Sequence, residues 1–222
     1  MVAVSLCMIG SVFSATLNVP GDHGTIQAAI NAASSGDVVA LQADASLSSQ
    51  VTITTNGVTL DGNGFTITAN FVKTSNSNNS AIGVQADNIT ITDVILDGVN
   101  PVVNQLHGIN FYEASNGNVT SVTAKNFRTW IAFNSSDWSI SNVNTEWNIW
   151  HGINVDTRTS QLASVTIAGT NTHNESSSTI PHIWVDDRSD GTTVNDLNNK
   201  YVSFDVWAWR AYFVDITKPT AT

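Results

Sequence analysis

The chain has 222 residues, of which 41% are hydrophobic and 12% charged, enough for one sizeable core without a second domain. Its formal charge is -10, from 18 acidic against 8 basic residues, and no basic run occurs. That balance argues against the Lys- and Arg-lined surfaces that neutralise nucleic-acid phosphates or anionic lipid headgroups, and the single Cys7 excludes an intrachain disulfide framework.

The opening run, Met1 to Phe13, is apolar, too short to span a bilayer and of the right length for an export signal. Residues 1–15 are therefore expected to be a signal peptide, with Val12-Phe13-Ser14 as its small-residue cleavage site. The mature chain is then expected to be secreted or on the cell surface, with no membrane insertion. Ile26, Ala29, Ile30 and Ala33 next recur at helical spacing, Thr25 is placed to cap the start, and Ser34-Ser35-Gly36-Asp37 ends the segment. One short helix is predicted there, followed by strands at Val38 to Leu41, Val51 to Ile53, Val58 to Leu60 and Phe65 to Ile67. The polar stretch Lys73 to Ser80 reads as a loop.

From Ala81 onward an apolar pattern recurs as Ile82-Gly83-Val84, Ile109-Asn110-Phe111, Ile131-Ala132-Phe133, Ile153-Asn154-Val155 and Ile183-Trp184-Val185. The step from Ile109 to Ile131 to Ile153 is 22 residues, and the outer gaps are 27 and 30. A constant step with local insertions is the mark of stacked coils, none of which can bury its inner face alone. A second alternating strand follows in each coil, carrying Ile89 and Ile91, Val119 and Val122, Trp138 and Ile140, then Leu162 and Val165. Asn88, Asn118 and Asp137 are expected where the chain bends into it.

Thr25-Ile26-Gln27-Ala28-Ala29-Ile30, with Gly36-Asp37-Val38-Val39, resembles the N-terminal cap of right-handed parallel β-helix proteins of the pectin-lyase-like superfamily. Val58-Thr59-Leu60-Asp61-Gly62-Asn63-Gly64 resembles their first-coil strand and turn, and the resemblance extends over residues 16 to 205. It implies an all-β fold, a right-handed parallel β-helix built as a solenoid of three-sheet coils over 16–210 with a short N-terminal α-helical cap. It also implies contact with polysaccharide, and it leaves activity open.

Chemistry-bearing residues fall in columns. His151-Gly152-Ile153-Asn154-Val155-Asp156-Thr157-Arg158 is nearly repeated by His182-Ile183-Trp184-Val185-Asp186-Asp187-Arg188. With Ile153 over Ile183, Asp156 stacks beside Asp186, and two such carboxylates need a cation, a bridging Arg or a shared proton. Asp156, Asp186 and Asp187 are accordingly candidate calcium ligands, calcium being the one cofactor considered. The same residues with Arg158 or Arg188 form a candidate catalytic group for a glycosidase or, as the resemblance implies, a polysaccharide lyase whose Arg removes a sugar proton. An Asp-Arg ladder that only caps strand ends is the plainer reading. His107, His151 and His182 precede the same strand in three coils and are expected as a further outward column, in turn positions or as metal ligands.

All 7 Trp lie between Trp130 and Trp209. Core packing is the default for aromatics, so about two are expected to face a ligand. Alternation points Trp184 outward and Trp138 inward. The expected glycan surface is Trp184 and Tyr112 stacking on sugar rings, with Asn110, Asn154, Asp156 and Asp186 bonding hydroxyls and His151 and His182 beside them. The tail, 211–222, is expected as a linker or the start of a following module. These readings favour a surface module that binds polysaccharide or mediates adhesion. A polysaccharide lyase or glycoside hydrolase is the second reading, and a structural spacer of a larger surface protein the third.

Overall fold

Val, Ile and Thr alternate with polar residues through most of this chain, a period that suits half-buried strands, and strands are what form. The structure, a computed structural model, describes residues 14–75, 79–112, 114–134, 138–156, 163–168, 172–174, 183–186, 200–204 and 214–217. The first pass of the chain contributes β1 (Thr16–Val19) and α1 (Ile26–Ala32). β2 (Val38–Leu41), β3 (Ala45–Leu47) and β4 (Val51–Ile53) follow, then β5 (Thr59–Asp61), β6 (Thr66–Ala69) and β7 (Ser80–Val84). The next passes run through β8 (Thr90–Asp97), α2 (Pro101–Asn104) and β9 (His107–Tyr112), then β10 (Gly117–Lys125) and β11 (Thr129–Asn134). β12 (Trp138–Ser141), β13 (Asn144–Glu146) and β14 (His151–Asp156) are succeeded by β15 (Ala163–Ala168), β16 (Thr172–Asn174) and β17 (Ile183–Asp186). β18 (Lys200–Phe204) and β19 (Val214–Thr217) end the series.

The fold is all-β with few helices, and every strand pair among the described residues is parallel. The pairs form three ladders. One runs β1-β2-β5, the first halves of β8 and β10, then β12-β15-β18. A second runs β3-β6, the second halves of β8 and β10, then β13-β16. The third runs β4-β7-β9-β11-β14-β17-β19. The chain visits the ladders in turn and returns each time one strand further along.

Corners between ladders are made by residues in the left-handed backbone region, where a short polar side chain costs little. Asn88 and Asn116 precede the first ladder, and Asn63, Asp93, Ser121 and Asn142 turn the chain from the first to the second. The expected corner at Asn118 therefore moves two residues back, because Asn118 is already paired with Thr90 and Ser139 inside the ladder. Asp137 lies outside the described residues.

Inside, the repeat seen in the sequence is realised as register. Ile82, Ile109, Ile131, Ile153 and Ile183 are successive partners across the third ladder, with Val51 before them and Val214 after. Ile82, Ile109 and Ile153 are fully buried. Large and small side chains interdigitate in a first-ladder row, where Gly117 is the partner of Trp138. The indole lies over Gly117, packs against Phe111 with ring centroids 3.7 Å apart, and donates Nε1–H to the Ala114 carbonyl at 3.0 Å.

The N-terminal edge of the third ladder is closed by α1. Ile26, Ala29 and Ile30 face the core, and the Thr25 hydroxyl caps the helix by accepting from Ala28 N–H. Gln27 then acts as a substitute strand. Its Oε1 accepts from Thr52 N–H at 2.7 Å and its Nε2 donates to the Thr52 carbonyl at 3.1 Å. This satisfies an edge peptide that would otherwise template pairing with another chain. Gln27→Ala is expected to lower stability by about 1–2 kcal/mol and to speed aggregation, read by urea unfolding and light scattering. At the far end, the segment expected as linker or following module contains β19, which pairs with β17 over Val214 to Thr217.

Candidate functional site along the edge between the second and third ladders

The connections from the second ladder to the third lie one above another. They comprise residues 70–75, 98–106, 126–128 and 147–150, and backbone bonds tie them together. Lys73 N–H donates to the Asn104 carbonyl at 2.9 Å, Arg128 N–H to that of Leu106 at 2.8 Å, and Trp150 N–H to that of Arg128 at 2.8 Å. Buried Asn148 supports the last two connections, accepting at Oδ1 from Phe127 N–H at 2.9 Å.

This edge gathers the exposed apolar side chains. Among the described residues the large hydrophobics that stand in solvent are Val72, Val99, Val102, Val103, Tyr112, Trp147 and Trp150. All but Tyr112 lie on this edge. Single exposed apolar residues are ordinary, whereas six on one edge of the described structure are a concentration. The five residues beyond the 22-residue step between Ile82 and Ile109 fall here as α2: Asn100 caps it through Val103 N–H, Pro101 starts it, and Val102 is left 67% exposed. The sequence shows the insertion as a stretched gap but not where it projects.

Strain accompanies exposure. Trp147 (φ 56°) and Val99 (φ 62°) both adopt left-handed backbone, which bulky and β-branched residues rarely do. On the neighbouring rung the corner is Asn126 (φ 61°), a residue that tolerates it. Trp147 is nonetheless held there with 54% of its surface exposed. Beside it, the Arg128 guanidinium sits 3.3 Å from the centroid of the Trp150 ring, a cation–π stack that leaves Trp150 40% exposed.

Asp97 fixes the start of the edge. Its Oδ1 accepts from Val99 N–H at 2.9 Å and from Asn126 Nδ2 at 2.9 Å, and Lys125 Nζ lies 3.4 Å from Oδ2. Burial works to raise its pKa, but the Asn126 amide, the Val99 N–H and Lys125 together outweigh that and hold the carboxyl below its ordinary value. A carboxyl depressed in the folded state adds stability that is complete above the ordinary aspartate value, about 3.9, and is lost as pH falls through the folded value. Unfolding midpoints of the native chain are therefore expected to drop below about pH 4. In Asp97→Asn, urea titrations should show a shallower acid decline and a lower plateau at neutral pH.

The sequence-predicted site residues are distributed as follows. Register makes Asp156 the direct partner of Asp186 and Asn154 the partner of Trp184, which in turn pairs with Asp215. Tyr112 is the partner of Asn134, at the opposite end of the third ladder from the apolar edge, and is exposed. Asn110 is half-buried, donating weakly to Asn79 at 3.3 Å, and its Oδ1 has no hydrogen-bond partner. Asp187, Arg158, Arg188 and His182 lie outside the described residues.

The histidine column needs correction. His107 and His151 are both partners of Thr129, so their backbones stand two rungs apart, about 9.6 Å. Their row also contains Ser80 and Thr129, which are buried, so it is not an outward column. As expected, Trp138 is core and 1% exposed. Trp147 and Trp150 are the indoles whose exposure the sequence missed, since neither lies on a strand whose alternation assigns it a face.

A separate cavity of about 350 Å³ lies at the N-terminal end, lined by Thr25, Gln27, Ser46 and Ser49 among others. It sits beside β3, the first strand of the second ladder, where α1 does not provide a preceding strand. None of the sequence-predicted site residues lines it.

Neither a family model nor a curated protein matches the chain. A solved structure of a pectin methylesterase mutant in complex with a hexasaccharide is similar to it, with a TM-score of 0.45 and 15% identity over 88% of this chain and 80% of that one. A similarity of this size carries no argument about chemistry.

Proposed function

We propose that this chain is a right-handed parallel β-helix module, secreted or displayed on a cell surface, that binds polysaccharide along the edge between its second and third ladders. The observation that carries the reading lies on that edge: two exposed indoles three residues apart, one in strained backbone and one stacked on Arg128. Sugar rings offer apolar C–H faces that stack on indole, and the neighbouring Arg128 guanidinium carries donors suited to hydroxyls. Strain kept at an exposed Trp fits retention for binding, since Asn serves the same corner one rung away.

Affinity electrophoresis against a panel of plant and bacterial polysaccharides tests this. Trp150→Ala and Trp147→Ala are each expected to weaken binding about tenfold, the effect of ~1.4 kcal/mol. Trp147→Asn should weaken it equally while leaving thermal stability unchanged or raised, because Asn relieves the corner. Retained binding in the double variant would overturn the reading.

A second reading rests on the Asp156 and Asp186 pairing. Two carboxylate-bearing residues on adjacent rungs, with Asp187 and Arg158 or Arg188 near in sequence, suit calcium-assisted lyase or hydrolase chemistry. Unsaturated product from acidic polysaccharide, abolished by a calcium chelator, would establish it. Reducing sugar released without that absorbance would indicate hydrolysis.

A further inference from the structure

The start of β1 carries an arrangement that the glycan-binding reading does not use. Ala15 N–H donates to Asp37 Oδ1 at 2.8 Å, Ser34 N–H donates to Oδ2 of the same carboxylate at 2.8 Å, and Val38 N–H donates to the Ala15 carbonyl at 2.8 Å. Asp37 is only 8% exposed, and among the described residues no cationic side chain is paired with it. The Ala15 N–H and then the Ser34 N–H outweigh burial and hold the carboxyl below its ordinary value, so it stands ionised and a positive charge on either donor would strengthen the bond. The residue whose nitrogen touches it directly follows Val12-Phe13-Ser14, the small-residue pattern of an export cleavage site.

We propose that the chain is cut between Ser14 and Ala15, one residue short of the expected 1–15 boundary, and that the new α-ammonium of Ala15 is the counter-charge of Asp37. The step is hydrolysis by a leader endopeptidase of the export pathway. Water adds to the Ser14 carbonyl carbon, the C–N bond to Ala15 breaks, Ser14 leaves with the leader as a carboxylate, and the freed nitrogen takes up a proton to become an ammonium. The nitrogen need not move to pair, because it already stands at hydrogen-bond distance from Oδ1. A neutral bond thereby becomes a charge-assisted one. Among the described residues, the cut removes the exposed Ser14 hydroxyl bond to the Gly36 carbonyl. Because the nitrogen is engaged in the folded chain, cleavage precedes folding, as it does for a protein exported unfolded. The first residue of the mature chain is then also the first that Asp37 pins to the fold, which leaves no loose N-terminal tail.

The full chain, expressed in a bacterium that exports it, is purified and its N-terminus determined by intact mass and sequential degradation. The expected product begins Ala15-Thr16-Leu17-Asn18. An uncut chain, or a cut anywhere else, overturns the proposal. On the recovered protein, selective acetylation of the α-amine near neutral pH is expected to lower the thermal midpoint, and to lower it much less in Asp37→Asn. Equal shifts in both proteins would overturn the pairing. Should Asp37→Asn fail to fold, the wild-type α-amine itself decides: it should titrate well above the ordinary terminal-amine range of about 7.7–8.0, and a value within that range refutes the pairing. Sugar binding is unaffected by every one of these outcomes, so this proposal and the glycan reading fail independently.

Discussion

Trp138→Ala is expected to destabilise the fold by about 3–5 kcal/mol, a large part of the roughly 5–15 kcal/mol that holds a domain of this kind. The indole is fully inside, stacked against Phe111 and bonded through Nε1–H to Ala114. Removing it leaves a cavity between rungs and an unpaired carbonyl. The same site can be attacked from the other side. A Cβ added at Gly117 would overlap the Trp138 ring, so Gly117→Ala is expected to cost about 3 kcal/mol by expelling the indole. The two effects should not add. In the double variant the ring that the new methyl strikes is gone, and the second substitution should cost far less than it does alone. Urea unfolding of the two single variants and the double variant provides the cycle, and strict additivity would mean that the indole does not occupy the space over Gly117.

Ile109→Ala is expected to cost about 2–5 kcal/mol, the range for truncating a fully buried aliphatic residue. Ile109 lies between Ile82 and Ile131 in the stacked row, so the void opens between two rungs that cannot close without shifting their backbones. Asn110→Ala, one residue along the same strand, provides the internal control. Its amide makes one long bond and leaves Oδ1 unpartnered, so the change is expected to be neutral within about 0.5 kcal/mol or slightly stabilising. Comparable losses at the two positions would contradict the assignment of Ile109 to the interior. Extending the comparison, Ile153→Ala should resemble Ile109→Ala, because it occupies the same row and is equally buried.

These expectations also separate the two kinds of aromatic residue in the chain. Trp138 acts through the interior and should affect stability. Trp147 and Trp150 stand in solvent and should affect binding with little effect on stability. The Arg128 stack on Trp150 makes Arg128→Ala the intermediate case, with a small loss of order at the edge and weaker recognition.

The chain's periodicities by themselves determined what is local or repeated. Alternation assigned Ile89, Ile91, Val119, Val122, Trp138 and Ile140 to the interior, and all are buried. The 22-residue step anticipated the register that joins Ile109, Ile131 and Ile153, and helical spacing with a Thr cap located α1. Such patterns are legible because a buried face imposes the same demand on every strand and every coil. Only the tertiary structure decided what happens at the corners and edges. Residues 25 apart meet when Gln27 completes the backbone pairing of Thr52, and residues 22 apart meet when Arg128 covers Trp150. The first separation matches no period, and the second equals the 22-residue step, which places the two residues on adjacent rungs without telling whether either faces solvent. A corner residue belongs to no alternating face, so its exposure depends on which neighbouring loop rises beside it, and that is why the exposed indoles proved to be Trp147 and Trp150.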